Sequence, residues 1–190
     1  MLFVVSAPSG AGKTTIVNEV TKRNPEIIFS ISATTRNCRG KEVNGKDYFF
    51  ISTEDFQEKI KNNELVEYEK VYGGHFYGTL KSFIDESLKN GKDVIFDVDV
   101  NGAISIKELY KDEAILVFIM PPDIDTLKDR LINRATESVS EIKERIDKYN
   151  YELSKAEYFD KVVINDNLDK AVAQVEEIIK ECKLKNKENT

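Results

Sequence analysis

The most chemically suggestive segment lies near the N-terminus, where two glycines, a lysine and two threonines follow a short apolar run. The segment from Ala7 to Thr14 resembles a Walker A loop, G-x-x-x-x-G-K-[ST], except that alanine stands first. Glycines in such a loop let backbone N–H groups turn inward around phosphate oxygens, and the following helix presents its positive N-terminus. Lys13 suits the β- and γ-phosphates and Thr14 suits Mg²⁺. We therefore predict a nucleoside triphosphate site formed by Ala7, Pro8, Ser9, Gly10, Ala11, Gly12, Lys13, Thr14 and Thr15.

Arginine placement is the second chemical signal, because five of the six arginines fall in two short stretches. Arg36 and Arg39 form one group, and Arg130, Arg134 and Arg145 form the other. The planar guanidinium grips phosphate with two parallel hydrogen bonds, which a lysine does not. Chance clustering on solvated faces is the alternative. The spacing favours two separate places where phosphate groups are held.

Charge and hydropathy exclude several classes of protein. The 28 basic and 34 acidic side chains give a net charge of −6, which argues against binding a nucleic acid polymer but not a small anion. The apolar run Ala114–Met120 has the length of a buried strand and is too short to span a membrane. Leu2–Val5 is too short for a signal-peptide core. Cys38 and Cys182 lack metal-ligand spacing and are expected to be reduced thiols, so we predict a cytoplasmic protein.

Short apolar runs alternate with helical periodicity, which predicts an α/β fold with a parallel sheet. Two segments interrupt the alternation: 31–77 is rich in short extended pieces, and 123–159 is mainly helical in pattern. Both arginine groups lie in these segments. The predicted strands of the sheet are Leu2–Ser6, Lys92–Val98, Ala114–Met120 and Lys161–Ile164, and the predicted helices include 13–23, 55–62 and 167–182.

With these features assembled, the chain resembles guanylate kinases of the bacterial and eukaryotic type, from Val4 to about Lys180. Many bacterial members have alanine at the position of Ala7. The points of resemblance, in chain order, are Ser32-Ala33-Thr34-Thr35-Arg36 with Arg39, Gly45 to Phe50, Glu67, Tyr77-Gly78-Thr79, Asp97-Val98-Asp99 with Gly102, Pro121-Pro122, Arg130 to Arg145, and Ile164-Asn165-Asp166.

The resemblance implies a fold and a reaction. The fold is a P-loop NTPase core with a five-stranded parallel sheet flanked by helices, a small mixed-sheet insert that binds GMP, and a helical lid. The reaction is transfer of the γ-phosphoryl group of ATP to GMP with Mg²⁺, giving ADP and GDP, within purine nucleotide metabolism. One domain is expected over 1–190, with its core at about 1–30, 80–122 and 146–184, the insert at about 31–79, the lid at about 123–145, and a disordered tail at 185–190.

Particular roles also follow from the resemblance. Glu67 has a physical rationale of its own, since guanine presents two adjacent donors to a carboxylate and adenine does not. Taken alone, however, Glu67 reads as an exposed strand carboxylate. The implied GMP-binding residues are Ser32, Arg36, Arg39, Tyr48, Glu67, Tyr77, Thr79 and Asp99. Arg130, Arg134 and Asn165 are expected at ATP, Lys13, Arg36, Arg134 and Arg145 at the transferred group, and Thr14 with Asp97 (through water) at Mg²⁺.

The chain departs from the family pattern at three places. Asn101 stands where glutamine is common, and Ala135 follows Arg134 where glycine is common. One extra residue near Gly73-Gly74-His75 makes the pairing of Tyr77 with the family tyrosine depend on where the insertion is placed. The single histidine, His75, is interpreted as a loop residue, because phosphoryl transfer does not require it.

Two other functions remain open at this point. Guanylate-kinase-like domains also serve as non-catalytic modules that bind phosphopeptides, although those modules typically have damaged donor loops and this chain keeps Lys13 and Thr14. A kinase for AMP, UMP or dTMP is the second alternative. The expected partners are ATP and GMP, and the sequence leaves monomer and homo-oligomer undecided.

Overall fold

The central sheet is built from strands that are apolar on both faces, the pattern of a parallel sheet covered on each side. All five side chains of β1 are buried. The structure, a computed structural model, describes residues 1–8, 10–71, 73–122 and 149–188. Within those ranges the sheet has five strands, all parallel, in the order β2-β7-β1-β8-β9. The strands are β1 (Leu2–Ser6), β2 (Ile28–Phe29), β7 (Val94–Asp97), β8 (Ala114–Met120) and β9 (Lys161–Ile164).

Helices cover both faces of this sheet because alternate side chains of each strand point to opposite sides. The helices around the sheet are α1 (Lys13–Arg23), α3 (Lys81–Lys89), α4 (Val100–Tyr110) and the C-terminal helix α5 (Leu168–Glu188). Phe3 and Val5 of β1 pack into one core with α1 and α5, and Leu2 and Val4 pack into a second core with α3 and α4.

A second, mixed sheet lies between β2 and α3 in the chain, with the order β4-β3-β6-β5 in the described residues. β3 runs parallel to β4 and antiparallel to β6, which in turn pairs antiparallel with β5. Helix α2 closes one face, where its buried Phe56 stacks on Phe76 at 5.3 Å between ring centroids. The elements are β3 (Ala33–Thr34), β4 (Phe49–Phe50), α2 (Thr53–Lys61), β5 (Leu65–Lys70) and β6 (Phe76–Leu80).

The predicted fold class is confirmed, and some element bounds differ from the predicted ones. The strand predicted at 92–98 is limited to Val94–Asp97, and α5 extends to Glu188, so 185–188 are helical rather than a disordered tail. Three of these four residues, Lys185, Lys187 and Glu188, are good helix formers, which favours the longer helix. The lid predicted at 123–145 lies outside the described residues, and the division into core, insert and lid stays a prediction.

Candidate active site

The Gly-containing loop joins β1 to α1 in the way a phosphate cradle requires. Gly10 and Gly12 have φ values of 88° and 90°, in the left-handed region that glycine adopts without strain. Gly12 is also the residue that precedes the first turn of α1, so the free N–H groups of that turn point toward the loop, where a phosphate would be held. The loop is closed by a hydrogen bond from the Ala11 N–H to the Pro8 carbonyl oxygen at 3.0 Å.

Lys13 and Thr14 both contact the carboxylate at the end of β7. Lys13 Nζ lies 2.5 Å from Asp97 Oδ1 and donates to the Val98 carbonyl oxygen at 2.6 Å. Thr14 Oγ1 donates to Asp97 Oδ2 at 2.7 Å. The parallel pairing of β1 with β7 sets Val5 opposite Asp97, which brings the two strand ends to the start of the loop. Three residues predicted for the triphosphate and its metal therefore lie together.

Asn165 contacts this loop from the far end of the chain. Its side-chain amide donates to the Ala11 carbonyl oxygen at 2.7 Å, and its backbone N–H donates to the Met120 carbonyl oxygen at 2.7 Å. A Cβ at Gly12 would lie 2.5 Å from Asn165 Nδ2, so the amide fits only against glycine. The resemblance implied Asn165 at ATP, and in the structure this amide is bonded to the phosphate loop itself.

A half-buried carboxylate, that of Glu67, lies in another part of the site. Glu67 on β5 pairs across the strands with Thr79 on β6, whose hydroxyl donates to Glu67 Oε1 at 2.7 Å. The second oxygen, Oε2, faces Gly102 in the first turn of α4, where a Cβ would lie 3.2 Å away. Asp99 caps that helix by accepting the Gly102 N–H at 2.7 Å. Three predicted base-reading residues, Glu67, Thr79 and Asp99, thus meet where β5 packs on α4.

Burial changes the acidity of Glu67. Loss of hydration is the largest cause and raises its pKa to about 7, opposed by the hydrogen bond from Thr79. The negative charges of Asp99 and Glu69 raise the pKa further, whereas Lys13 lowers it. Near neutral pH the group is consequently divided between its acid and its carboxylate form.

Arg36 lies among aromatic rings on the mixed sheet and is only 7% exposed. Its guanidinium carbon stands 4.8 Å from the centroid of the Tyr48 ring and 5.5 Å from that of Phe50. Arg36 Nε donates to the Tyr77 hydroxyl oxygen at 3.0 Å. The structure therefore brings together three of the four residues predicted for the acceptor phosphate, Arg36, Tyr48 and Tyr77.

The fourth, Arg39, has an exposed side chain, and its backbone N–H donates to Glu42 Oε2 at 2.7 Å. Glu42 also forms two hydrogen bonds with Arg36, from Nη1 to Oε2 at 2.7 Å and from Nη2 to Oε1 at 2.6 Å. Sequence reasoning missed Glu42. The signal was available in principle, since an acidic side chain six residues after an arginine in a turn-rich stretch is a candidate ion-pair partner.

One open cleft of about 550 Å³ is lined by residues of both sheets. Tyr48 and Tyr77 lie toward the mixed sheet, and the carboxylates of Asp97 and Asp99 lie toward the parallel sheet. The predicted residues that line the cleft are Thr14, Ser32, Tyr48, Glu67, Tyr77, Asp97 and Asp99. Asp47, which lies in the Gly45–Phe50 motif but was given no role, and Glu69, which sequence reasoning did not single out, also line it.

The remaining predicted residues are distributed differently. Ala7 and Pro8 are buried beneath the loop, and Thr15 is exposed on α1. Ser9, Arg130, Arg134 and Arg145 lie outside the described residues, so their assignments stay predictions.

Thr14 and Asp97 are suited to a metal ion that phosphate oxygens also coordinate, and less suited to a metal ion held by protein side chains alone. Across residues 1–8, 10–71, 73–122 and 149–188, no cluster of three or more histidine, cysteine, aspartate or glutamate side chains forms a metal site. The Thr14 hydroxyl and the Asp97 carboxylate are oxygen donors in contact at the loop, which is the donor set that Mg²⁺ takes when phosphates and waters complete its coordination.

The described helices include none that is both long and apolar enough to cross a bilayer.

Comparisons with known proteins agree with this arrangement. A family model described as guanylate kinase matches residues 1–182. The guanylate kinase of Bacteroides fragilis is 49% identical over 180 residues, covering 95% of this chain and 88% of the relative. That of Porphyromonas gingivalis is 49% identical and covers 94% of this chain and 95% of the relative. The crystal structure of guanylate kinase from Anaplasma phagocytophilum superposes with a TM-score of 0.73 at 27% identity, covering 95% of this chain and 85% of that one. The chain belongs to the guanylate kinase family.

Proposed function

We propose that this protein transfers the γ-phosphoryl group of ATP to GMP, giving ADP and GDP. The observation that carries the proposal is that the half-buried Glu67 side chain lines the same cleft as Thr14 and Asp97, and that Asp97 also contacts Lys13. A base-reading carboxylate and a phosphate cradle on one cleft fit two nucleotides held with their phosphates facing each other.

Glu67 selects guanine in this proposal. Guanine presents N1–H and its exocyclic amino group as adjacent donors, and the two Glu67 oxygens accept them. Adenine has no donor at those positions, so the half-buried carboxylate would keep only its bond from Thr79, which supports discrimination of about 10⁴-fold. Thr79 holds the Glu67 carboxylate in place by its hydrogen bond to Oε1. Asp99 holds the adjacent first turn of α4 in place by accepting the Gly102 N–H. Ser32, on the cleft wall, is the remaining base contact that we propose.

Arg36, Arg39, Tyr48 and Tyr77 bind the acceptor phosphate. Its second pKa of about 6 leaves it largely ionised at neutral pH, so the reaction needs no general base to create the nucleophile. Catalysis is then positioning and stabilisation of charge. On the donor side Lys13 exchanges its contact with Asp97 for the β- and γ-phosphates. We further propose Arg134 and Arg145 at the transferred group and Arg130 against ATP.

Mg²⁺ is the cofactor that we propose, held by Thr14 directly and by Asp97 through water. When bound it supplies positive charge to the phosphate oxygens. The carboxylate of Asp97 is oriented for this by the hydrogen bond from the Thr14 hydroxyl. The setting we propose is the cytoplasm, within the recycling of GMP.

A nucleotide panel tests the proposed function. ADP formation from ATP is measured by a coupled assay with GMP, AMP, UMP or dTMP as acceptor. We expect turnover with GMP and none above background with AMP. Substantial ADP formation with AMP, or none with GMP, would contradict the proposal.

The Lys13→Ala variant tests the donor site in the same assay. We expect at least a hundredfold loss of kcat, because the positive charge at the transferred phosphoryl group disappears. Lys22→Ala is the matched control: Lys22 lies on the same helix, is 77% exposed, and contacts Glu19 at 3.7 Å. An unaltered rate in Lys13→Ala would remove the donor-site assignment.

A further inference from the structure

The guanidinium of Arg36 is almost fully engaged by protein groups. Nη1 donates to the Asn37 carbonyl oxygen at 2.8 Å and to Glu42 Oε2, Nη2 donates to Glu42 Oε1, and Nε donates to Tyr77. An arginine has five N–H donors, and these bonds use four of them within the described part of the chain. Arg36 therefore has one N–H on Nη2 to offer a phosphate while the pair with Glu42 persists.

Glu42 is itself anchored in the loop between β3 and β4. Its Oε2 accepts the Arg39 backbone N–H, and its own backbone N–H donates to the Arg39 carbonyl oxygen at 3.0 Å. The Cys38 thiol donates to the Glu42 carbonyl oxygen at 3.1 Å. These contacts hold the Glu42 backbone in the loop and give its carboxylate a second partner besides Arg36. A side chain anchored in this way is suited to a structural role in the loop.

The hydrogen bond from Arg36 to Tyr77 links the Arg36–Glu42 pair to a residue that lines the cleft. Because Nε donates to the Tyr77 oxygen, the hydroxyl proton of Tyr77 is free to point elsewhere. Tyr77 lines the cleft beside Tyr48, with 5.9 Å between their ring centroids. The hydroxyl is consequently set as a donor toward an anion in the cleft.

We propose that Glu42 is a positioning residue for the acceptor phosphate, which it serves by holding Arg36 in the orientation that fixes the Tyr77 hydroxyl and the one remaining Nη2 N–H. The inference rests on the proposed GMP kinase activity and adds a residue to it. The ion pair lowers the pKa of Glu42 to about 2 and raises that of Arg36, so the carboxylate stays ionised at any pH of interest.

Whether removal of Glu42 strengthens or weakens GMP binding distinguishes a positioning role from a purely electrostatic one. A carboxylate next to a phosphate site repels the dianion, so its removal should strengthen GMP binding if charge alone matters. If Glu42 acts by holding Arg36, its removal should weaken GMP binding. The Glu42→Gln variant keeps the shape, loses the charge, and turns an N–H₂ group toward the arginine fork.

We expect Glu42→Gln to raise KM for GMP about tenfold, the loss associated with one hydrogen bond to a charged group. KM for ATP and kcat at saturating GMP should stay within about twofold of the wild type. Binding of guanosine, which has no phosphate, should be unchanged. Glu64→Gln is the matched control, since Glu64 also pairs with a basic side chain, Lys59 at 2.9 Å, away from the cleft.

An unchanged or lowered KM for GMP in Glu42→Gln would overturn the proposal. So would a parallel loss of guanosine and ATP binding, which would reveal a purely structural role. Should circular dichroism show that Glu42→Gln is unfolded, Glu42→Asp carries the same comparison, with a smaller rise in KM for GMP expected because the charge is kept. Absence of GMP turnover in the wild type would instead refute the proposed function.

Discussion

Glu67 shows how strongly the chemistry of one residue depends on its surroundings. Hydrogen bonding by Thr79 favours the carboxylate form, but desolvation outweighs it and the pKa rises to about 7. Guanine recognition needs the carboxylate, because only that form accepts both base donors. The residue is thus half-protonated near neutral pH and must lose its proton when a guanine binds.

Guanosine binding should therefore depend on pH through Glu67. Below pH 7 the dissociation constant should rise about tenfold per pH unit, and above pH 8 it should be constant, because binding selects the ionised form. Titration calorimetry at several pH values measures this, and guanosine avoids titration of the phosphate. In Glu67→Gln we expect weak binding without the pH dependence; a flat profile in the wild type would show that the Glu67 pKa is not raised.

The same pKa shift predicts how stability changes with pH. The Glu67 pKa is raised from a reference of 4.5 to about 7 in the folded protein, so between these values the folded state keeps a proton that the unfolded chain has lost. The free energy of unfolding contributed by this group consequently falls as pH rises from about 4.5 to 7. Urea unfolding of the wild type and Glu67→Gln at pH 5 and pH 8 tests this, and we expect the variant to gain relative stability at pH 8.

At the scale of elements, the first turn of α4 packs against β5, the strand that carries Glu67. Asp99 caps the helix through the Gly102 N–H, and the absence of a side chain at Gly102 lets the Glu67 carboxylate approach. A methyl group there would stand 3.1 Å from Asp99 Oδ1 and 3.2 Å from Glu67 Oε2, closer than ordinary contacts. Helix packing and guanine recognition therefore depend on the same small residue.

Gly102→Ala should raise KM for GMP without lowering the free energy of unfolding. Alanine favours the helix by about 0.5–1 kcal/mol over glycine, so the free energy of unfolding should change little or rise. The displaced Glu67 carboxylate should raise KM for GMP several-fold, with KM for ATP unaffected. Ser105→Ala, on an exposed position of the same helix, is the control and should leave both KM values unchanged. An unchanged KM for GMP in Gly102→Ala would show that Glu67 accommodates the methyl group.

The contact between the end of β9 and the phosphate loop leads to a second prediction for an element. Asn165→Ala removes the bond to the Ala11 carbonyl oxygen and loosens the loop beside Gly12. We expect KM to rise several-fold for ATP and GTP alike as phosphoryl donors, because the effect passes through the loop. A loss confined to ATP would instead indicate a direct contact with adenine.

Asn167→Ala is the control for this variant. Asn167 accepts the Lys170 N–H at the start of α5, and its loss should cost about 1 kcal/mol of stability without altering KM for either donor.

At the scale of the whole molecule, a parallel sheet supplies the phosphate loop and a mixed sheet supplies the acceptor residues. The cleft of about 550 Å³ that both sheets line is open, and water in an open cleft competes with GMP for the transferred group. Approach of the two sheets when both substrates are bound would exclude that water and align the phosphates.

We therefore expect the radius of gyration to fall when GMP and a non-hydrolysable ATP analogue are added together. Small-angle X-ray scattering measures the change. AMP in place of GMP is the control and should leave the dimensions of the protein unchanged, since Glu67 does not hold adenine. Identical scattering with and without both cognate nucleotides would contradict closure.

Local sequence patterns predicted the phosphate loop, the fold class and several residues of the candidate site. The order Gly10, Gly12, Lys13, Thr14 between an apolar run and a helical one predicted the phosphate loop, and the structure has the positive φ values that this loop needs. Alternation of strand and helix periodicity predicted the α/β class. This periodicity can be read from the sequence because it depends only on residues close together in the chain. The family motifs predicted Arg36, Tyr48, Tyr77 and Glu67. The structure places Tyr48, Tyr77 and Glu67 on one cleft, and Arg36 donates a hydrogen bond to Tyr77.

Other properties were decided only by tertiary structure, because they depend on groups far apart in the chain or on exclusion of water. Asn165 reaches Ala11 across 154 residues, a contact that no local pattern encodes. The pKa of Glu67 follows from desolvation where β5 packs on α4, and composition cannot report desolvation. Glu42 is close to Arg36 in sequence, yet only the turn between β3 and β4 aims its carboxylate at the guanidinium fork.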